Sequence, residues 1–289
     1  MDLQEYLSER FRGRTAHCYA LMVKNYLEQS QNAPQAKYKD VVAYLEKQRS
    51  KGRKAGTINS YLSAIKTYYD WLKKTGRRKD HPCKHLRLKD RIDPRVNVQD
   101  LFSSTELDLL LVQEQEKNWH TENLLLRDKV ILTLLIYQGL TIKSLAALEV
   151  KDVNLEQATV YIKKGLTLNA RTLELHPRQI MLISRYLTEE RPALNWKNSS
   201  KLILNKRGNA ESGCAARKII LQFKHLFPNK NLTALAIRQS VIVNLLKAGK
   251  DIRAVQVFAG HKSPMTTERY QSTGIEELTA AVIKFHPLS

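Results

Sequence analysis

Residues 232–270 read LTALAIRQSVIVNLLKAGKDIRAVQVFAGHKSPMTTERY, and two glycines cut this stretch into helix-length pieces. One helical run carries Arg238, continues through Val241, Val243, Leu245 and Leu246, and stops at Ala248-Gly249, a C-cap signal. A second carries Ile252, Val255, Val257 and Phe258 and ends at Gly260. His261, a loop with Ser263-Pro264, and a segment presenting Tyr270 follow. Such punctuation constrains the region to short helices. It puts an arginine, a histidine and a tyrosine at their ends, where a fold can aim polar groups at one point.

The charge narrows the partners. The 289 residues hold 48 Lys and Arg against 28 Asp and Glu, a net charge of +20. A soluble chain this basic suits a polyanion, with nucleic acid ahead of an anionic membrane surface. No apolar run is long enough for a transmembrane helix, and MDLQEYLSERF is not a signal peptide. Cys18, Cys83 and Cys214 are too scattered for a disulfide framework and fit a reducing cytoplasm.

The first hundred residues read as all helix. Apolar residues recur at helical spacing over Arg14–Gln29, Lys39–Gln48 and Thr57–Lys74, with Gly52, Gly56 and Gly76 marking ends. Tyr61, Tyr68 and Tyr69 read as core. Basic residues gather at the helix ends, and Arg53, Lys54, Arg77 and Arg78 are candidates for DNA phosphates. His81, Cys83 and His85 do not make a convincing metal site, because no second ligand cluster completes a tetrahedral set. Pro82, Pro94 and dense charge over residues 80–100 read as a linker.

Beyond the linker, Ser103 or Ser104 with Glu106 opens a helix, and Leu124–Leu140 is the most apolar stretch, a buried helix broken at Gly139. Ala158–Lys163 and Arg171–Leu175 alternate like two strands, with Lys164-Gly165 opening the turn between them. HPRQIMLISRYL and Ala215–Leu226 read as helices, and Leu202–Leu204 as a short strand.

The pattern of Arg238, Gly260-His261, Thr266-Thr267 and Tyr270 resembles the C-terminal half of the tyrosine recombinase (phage integrase/Xer) family. That family has His-x-x-Arg, then Gly-His, then a tyrosine nine residues after the histidine. Leu235 stands where its first histidine is expected. LLIYQGLTIKSLAALEVKDVNLE resembles the box around the family's first catalytic arginine, with Thr141 in the arginine's place and Ser144 in that of an acidic residue. TINSYLSAIKTYYDWL resembles the third helix of its core-binding domain.

The resemblance implies a mainly α protein. A helical, SAM-like core-binding domain over 1–85 and a linker over 86–101 would precede an α+β catalytic domain over 102–289 with a small antiparallel sheet. A helix over 275–285 would dock into a neighbouring protomer, giving dimers or tetramers on double-stranded DNA. A second recombinase or an accessory protein is a further possible partner. The implied roles are Tyr270 as nucleophile, Arg238 as phosphate clamp, His261 as donor to a phosphate oxygen, and Lys164 as general acid, with Lys163 the alternative. No metal or other cofactor is called for. The implied function is site-specific recombination through a 3′-phosphotyrosyl link. With Thr141 and Leu235 at catalytic positions, activity would be atypical or conditional unless Lys143 or another basic residue fills the gap. The alternative is a catalytically impaired DNA-binding relative acting as architectural partner or repressor.

Overall fold

A computed structural model describes residues 1–30, 32–89, 98–116 and 124–271. The chain divides into two compact units, residues 1–93 and 94–289.

The first unit is built from four helices, α1 (Leu3–Arg10), α2 (Gly13–Gln29), α3 (Tyr38–Ser50) and α4 (Ala55–Lys74). Asp2 opens α1 through a capping box, its carboxylate accepting from Leu3 N at 2.6 Å while Glu5 accepts from Asp2 N at 2.9 Å. α4 is the central helix, burying Ile58, Tyr61, Leu62, Ile65, Tyr68, Tyr69, Trp71 and Leu72. The tyrosines are core, as their spacing predicts. Their hydroxyls pair rather than reach solvent: Tyr26 and Tyr69 Oη lie 2.7 Å apart, and Tyr69 Oη donates to Ala33 O at 2.7 Å. Gly56 does not end a helix; it lies in the first turn of α4, where a missing side chain harms little. Cys83 is buried in this core, and His81 Nε2 lies 3.1 Å from Lys66 O. Leu86 and Leu88 pack against the same core.

The second unit is organised on α6 (Leu125–Tyr137), which is buried on nearly every face. Around it pack α5 (Ser104–Glu116), α8 (Pro177–Arg185), α10 (Cys214–Gln222) and α11 (Ala234–Lys247). Two short helices, α7 (Ile142–Ala147) and α9 (Arg191–Leu194), complete the scaffold with α12 (Ile252–Ala259). One antiparallel sheet has the order β1 (Val153–Asn154), β2 (Thr159–Ile162), β3 (Arg171–Glu174), with Ile162 opposite Arg171 and Val160 opposite Leu173.

Leu202–Leu204 forms no ladder strand. Leu202 N donates to Leu148 O, Ile203 O accepts from Glu211 N, and Leu204 makes only an isolated bridge with Ala210. Its backbone groups are satisfied by separate partners, so nothing propagates a sheet. Among the described residues no helix is long and apolar enough to cross a membrane. The expected helix over 275–285 lies outside the described residues.

Candidate active site

Arg238 sits in the first half of α11. Thr233 caps that helix, its Oγ1 accepting from Ala236 N at 3.0 Å. The arginine is buried, and two chain breaks receive it. Nη1 donates to Gly139 O at 2.6 Å, just past α6, and Nη2 donates to Ala259 O at 2.7 Å, the last residue of α12. Helix C-terminal carbonyls lack intrahelical partners and carry partial negative charge, so they suit a cation. Burial nevertheless holds the guanidinium pKa below its ordinary value. No carboxylate ion-pairs with Arg238 among the described residues.

His261 follows the left-handed C-cap Gly260 (φ 71°) of α12. Arg238 Nη2 lies 3.3 Å from His261 Nε2. A guanidinium only donates, so Nε2 is the acceptor and Nδ1–H is left to donate to Thr267 Oγ1, 2.9 Å away. Burial, then Arg238, then Arg171 push the imidazole pKa down to about 4. It is neutral at physiological pH.

Residues 264–271 are helical and carry Thr267 and Tyr270. The Tyr270 ring stacks on His261, centroids 5.8 Å apart and planes within 9°. It also packs against two small apolar clusters, Leu101 with Val243 and Ile242 with Val255 and Ala259. Burial raises the phenol pKa, while Arg238, a hydrogen bond from Gln239 and Arg269 act against the rise. At rest the group is a protonated phenol held beside cations.

The β2–β3 turn, residues 163–170, is tied to the same place. Leu168 bridges to His261, Asn169 N donates to Gly260 O at 2.8 Å, and Lys262 Nζ donates to Leu166 O at 2.7 Å. The two candidate lysines differ. Lys163 is held by Glu149 at 2.8 Å and Asp152 at 3.4 Å. Lys164 is exposed and makes no ion pair or hydrogen bond among the described residues.

Thr141 is the N-cap of α7, its Oγ1 accepting from Ser144 N at 3.1 Å and lying 2.9 Å from Ser144 Oγ. Lys143 is exposed on α7. Leu235, one turn before Arg238, is 63% exposed and offers no polar group.

One residue of the site carries no role in the sequence reading. Arg171 opens β3 and is buried, its pKa pushed down to about 10 by burial and by Arg238. The signal was present in the sequence: alternation puts Arg171 on the face of Leu173 and Leu175, a charge on an apolar face.

In the N-terminal unit the four basic candidates are placed differently. Arg53 donates to Gln48 at 3.0 Å and lies over the Tyr61 ring. Arg77 lies over Trp71. Arg78 has Nε and Nη2 on Asp80, at 2.8 and 2.9 Å, and Nη1 on Pro34 O at 2.8 Å. Lys54 is exposed at the start of α4.

Comparison with known proteins bears on the family and the fold. The phage integrase family model matches residues 106–275, and the model of the phage integrase N-terminal SAM-like domain matches residues 2–76. The tyrosine recombinase XerA of Pyrococcus horikoshii is 25% identical over 272 residues, 93% of this chain and 87% of that protein. The tyrosine recombinase XerD of Oceanobacillus iheyensis is 28% identical over 256 residues, 86% of this chain and 82% of that protein. Among solved structures, XerH bound to a palindromic difH substrate superposes with a TM-score of 0.76 at 20% identity, covering 93% of this chain and 79% of that one. The Tn1549 integrase in complex with transposon right end DNA gives 0.65 at 16% identity, covering 97% and 99%. These superpositions show a shared fold. Since the family model spans more than half of the sequence, including the segments bearing Arg238, His261 and Tyr270, the chain belongs to the phage integrase family of tyrosine recombinases.

Proposed function

We propose that this chain cuts and rejoins DNA site-specifically through a covalent link to Tyr270. The observation that carries the reading is the stack of Tyr270 on His261, with Arg238 reaching the same imidazole within one unit. The phenol Oη attacks phosphorus, and its proton passes to solvent water. The bond from phosphorus to the 5′-oxygen breaks, and its electron pair leaves with that oxygen, which takes a proton from the Lys164 ammonium. A 3′-phosphotyrosyl ester remains. Attack by a 5′-hydroxyl reverses each step, so no external energy source is needed.

Arg238 suits the clamp because its planar fork matches two phosphate oxygens and stays charged. Its two carbonyl bonds hold it in place before substrate arrives. His261 is a neutral base in the free site. A bound phosphate anion favours its protonated form, which donates from Nε2 to a non-bridging oxygen. Lys164 is preferred over Lys163 because two carboxylates hold Lys163. Arg53, Lys54 and Arg77 are the N-terminal candidates for DNA phosphates. Arg78, held by Asp80 and Pro34 O, is the fourth candidate. Assembly on DNA through residues 275–285 stays part of the proposal.

The helix-capping Thr141 and the exposed Leu235 favour a slow or partner-dependent enzyme, since losing one charge-stabilising donor costs about 10²–10³ in rate. The test is covalent trapping on a nicked duplex carrying DNA that borders the gene, resolved on a denaturing gel. A protein–DNA band absent only with Tyr270→Phe supports the reading. An undiminished band with Tyr270→Phe refutes it, and tight duplex binding without any band favours a purely binding role.

A further inference from the structure

Among the described residues, the buried side-chain polar atoms left without a hydrogen-bond partner belong to Arg171, which opens β3. The residue is 5% exposed, yet its Nε and Nη2 are buried without a hydrogen-bond partner among the described residues. Nη1 has a single long contact, to Asn169 O at 3.4 Å. Arg127, equally buried, shows what a scaffold arginine does in the same unit. It holds Asp128 with Nε and Nη2, at 2.8 and 2.6 Å, and donates Nη1 to Leu204 O. Buried donors left unmade are uncommon in folded proteins and call for an explanation.

The location supplies one. Arg171 lies against Gly260, the residue between Ala259, which receives Arg238, and His261. A Cβ at position 260 would fall 2.5 Å from Arg171 Nη1 and 3.0 Å from Cζ. The glycine thus leaves room for the guanidinium at the back of the Arg238–His261 centre. The turn that leads into β3 is the one tied to Gly260 and His261. The charges of Arg171 and Arg238 disfavour each other and the protonation of His261. Neither guanidinium is ion-paired among the described residues. Two adjacent buried cations with open donors fit one kind of partner, an anion offering several oxygen acceptors at once.

We propose that Arg171 is a second phosphate-binding guanidinium, acting with Arg238 on the non-bridging oxygens of the phosphodiester that Tyr270 attacks. It delivers from a strand the positive charge that Thr141, engaged in capping α7, does not carry. The proposal rests on the reading of Tyr270 as nucleophile, and two experiments separate the fates of the two ideas.

The first needs no catalysis. The full chain is melted in inorganic phosphate and in chloride at equal ionic strength, as wild type and as Arg171→Met. Phosphate raises the Tm of wild type, and Arg171→Met weakens the apparent phosphate affinity at least tenfold. An undiminished phosphate effect in the variant, or none in wild type, overturns the proposal.

The second is single-turnover cleavage of the nicked duplex by wild type and Arg171→Ala. One substrate has the natural phosphodiester, the other a methylphosphonate in which a neutral methyl replaces one non-bridging oxygen. Arg171→Ala slows cleavage of the natural substrate about 10²–10³-fold, and most of that deficit disappears on the methylphosphonate, which has less charge to neutralise. A wild-type rate in Arg171→Ala overturns the proposal. So does an equal deficit on both substrates, which marks a purely architectural arginine. If wild type forms no covalent product, the Tyr270 reading fails, while the phosphate melt still decides whether Arg171 binds an anion.

Discussion

Replacing Arg171 by methionine should make the free protein more stable, the opposite of what removing a scaffold arginine does. Burial and Arg238 push its pKa down from the ordinary guanidinium range to about 10. At 1.36 kcal/mol per unit, the charged form costs about 3 kcal/mol more in the folded state than in the unfolded one. The sign follows from the direction. A base with a depressed folded pKa is charged in both states below pH 10, so the destabilisation is fully present at pH 7 and is relieved only as pH rises through 10. Methionine fills a similar length of channel with apolar atoms, and the single 3.4 Å contact to Asn169 O is a small loss. A gain of about 2–3 kcal/mol is expected, equivalent to a rise in Tm of about 4–10 °C for a unit of this size. Scanning calorimetry in phosphate- and sulfate-free buffer measures it, with Arg127→Met as control. That control strands buried Asp128 and should lose about 3–5 kcal/mol. If Arg171→Met falls in the same direction as Arg127→Met, Arg171 is a structural anchor and its open donors do not await an anion.

Three further outcomes follow from the same geometry. The His261 imidazole should titrate near pH 4 by NMR in the free protein and move upward when phosphate is bound. Because its folded value lies below the unfolded 6.5, its contribution to stability is intact above pH 6.5. It is lost as pH falls towards 4, by about 3 kcal/mol, and a free-state midpoint at or above 6.5 contradicts the site as described. Gly260→Ala should destabilise by more than the ~1 kcal/mol expected for a left-handed alanine, because its Cβ meets Arg171; in an Arg171→Ala background the excess should vanish, and a double-mutant cycle with no coupling would count against the contact. Lys164→Ala should slow cleavage about 10²–10⁴-fold and recover on a substrate whose 5′ bridging oxygen is sulfur, a leaving group needing no proton, whereas Lys163→Ala should leave the two substrates in their wild-type ratio.

Much of the fold could be read from periodicity. The spacing of Ile58, Tyr61, Leu62, Ile65, Tyr68, Tyr69 and Leu72 predicts α4, and the all-apolar run before Gly139 predicts the central α6. Leu202–Leu204 misled because three consecutive buried apolar residues suit either a strand or an irregular segment, and only the backbone partners decide between them. β1 escaped notice because a two-residue strand has no period to detect. At the site, Arg238, His261 and Tyr270 stand out through spacing at helix ends, and the structure brings them into contact. Arg171 stands 67 residues before Arg238 in the sequence, so no local pattern links them. Only the register of β2 with β3 and the closure of the turn onto Gly260 make them neighbours.

The placement of that charge has a mechanical consequence. A guanidinium at Thr141, the N-cap of α7, would sit on the helical scaffold that follows α6. Arg171 instead belongs to the hairpin whose turn carries Lys164, and that hairpin is tied to the centre through Leu168 and Asn169 alone among its backbone contacts to residues 260–261. Phosphate charge balance and leaving-group protonation would then reside on one element. Any contact that seats or lifts the hairpin would change both together, by an amount larger than either single substitution. This is the behaviour expected of an enzyme whose activity is conditional. Substituting Leu168 by proline leaves the Asn169 N–H in place but fixes φ at 168 and restricts residue 167, which distorts the backbone that presents Asn169 N to Gly260 O and so weakens the bridge to His261. It should depress cleavage on the natural phosphodiester and on the 5′-sulfur substrate alike, because Arg171 is displaced with Lys164. Rescue by the 5′-sulfur alone would show that the turn moves without the strand, and that the two charges act independently.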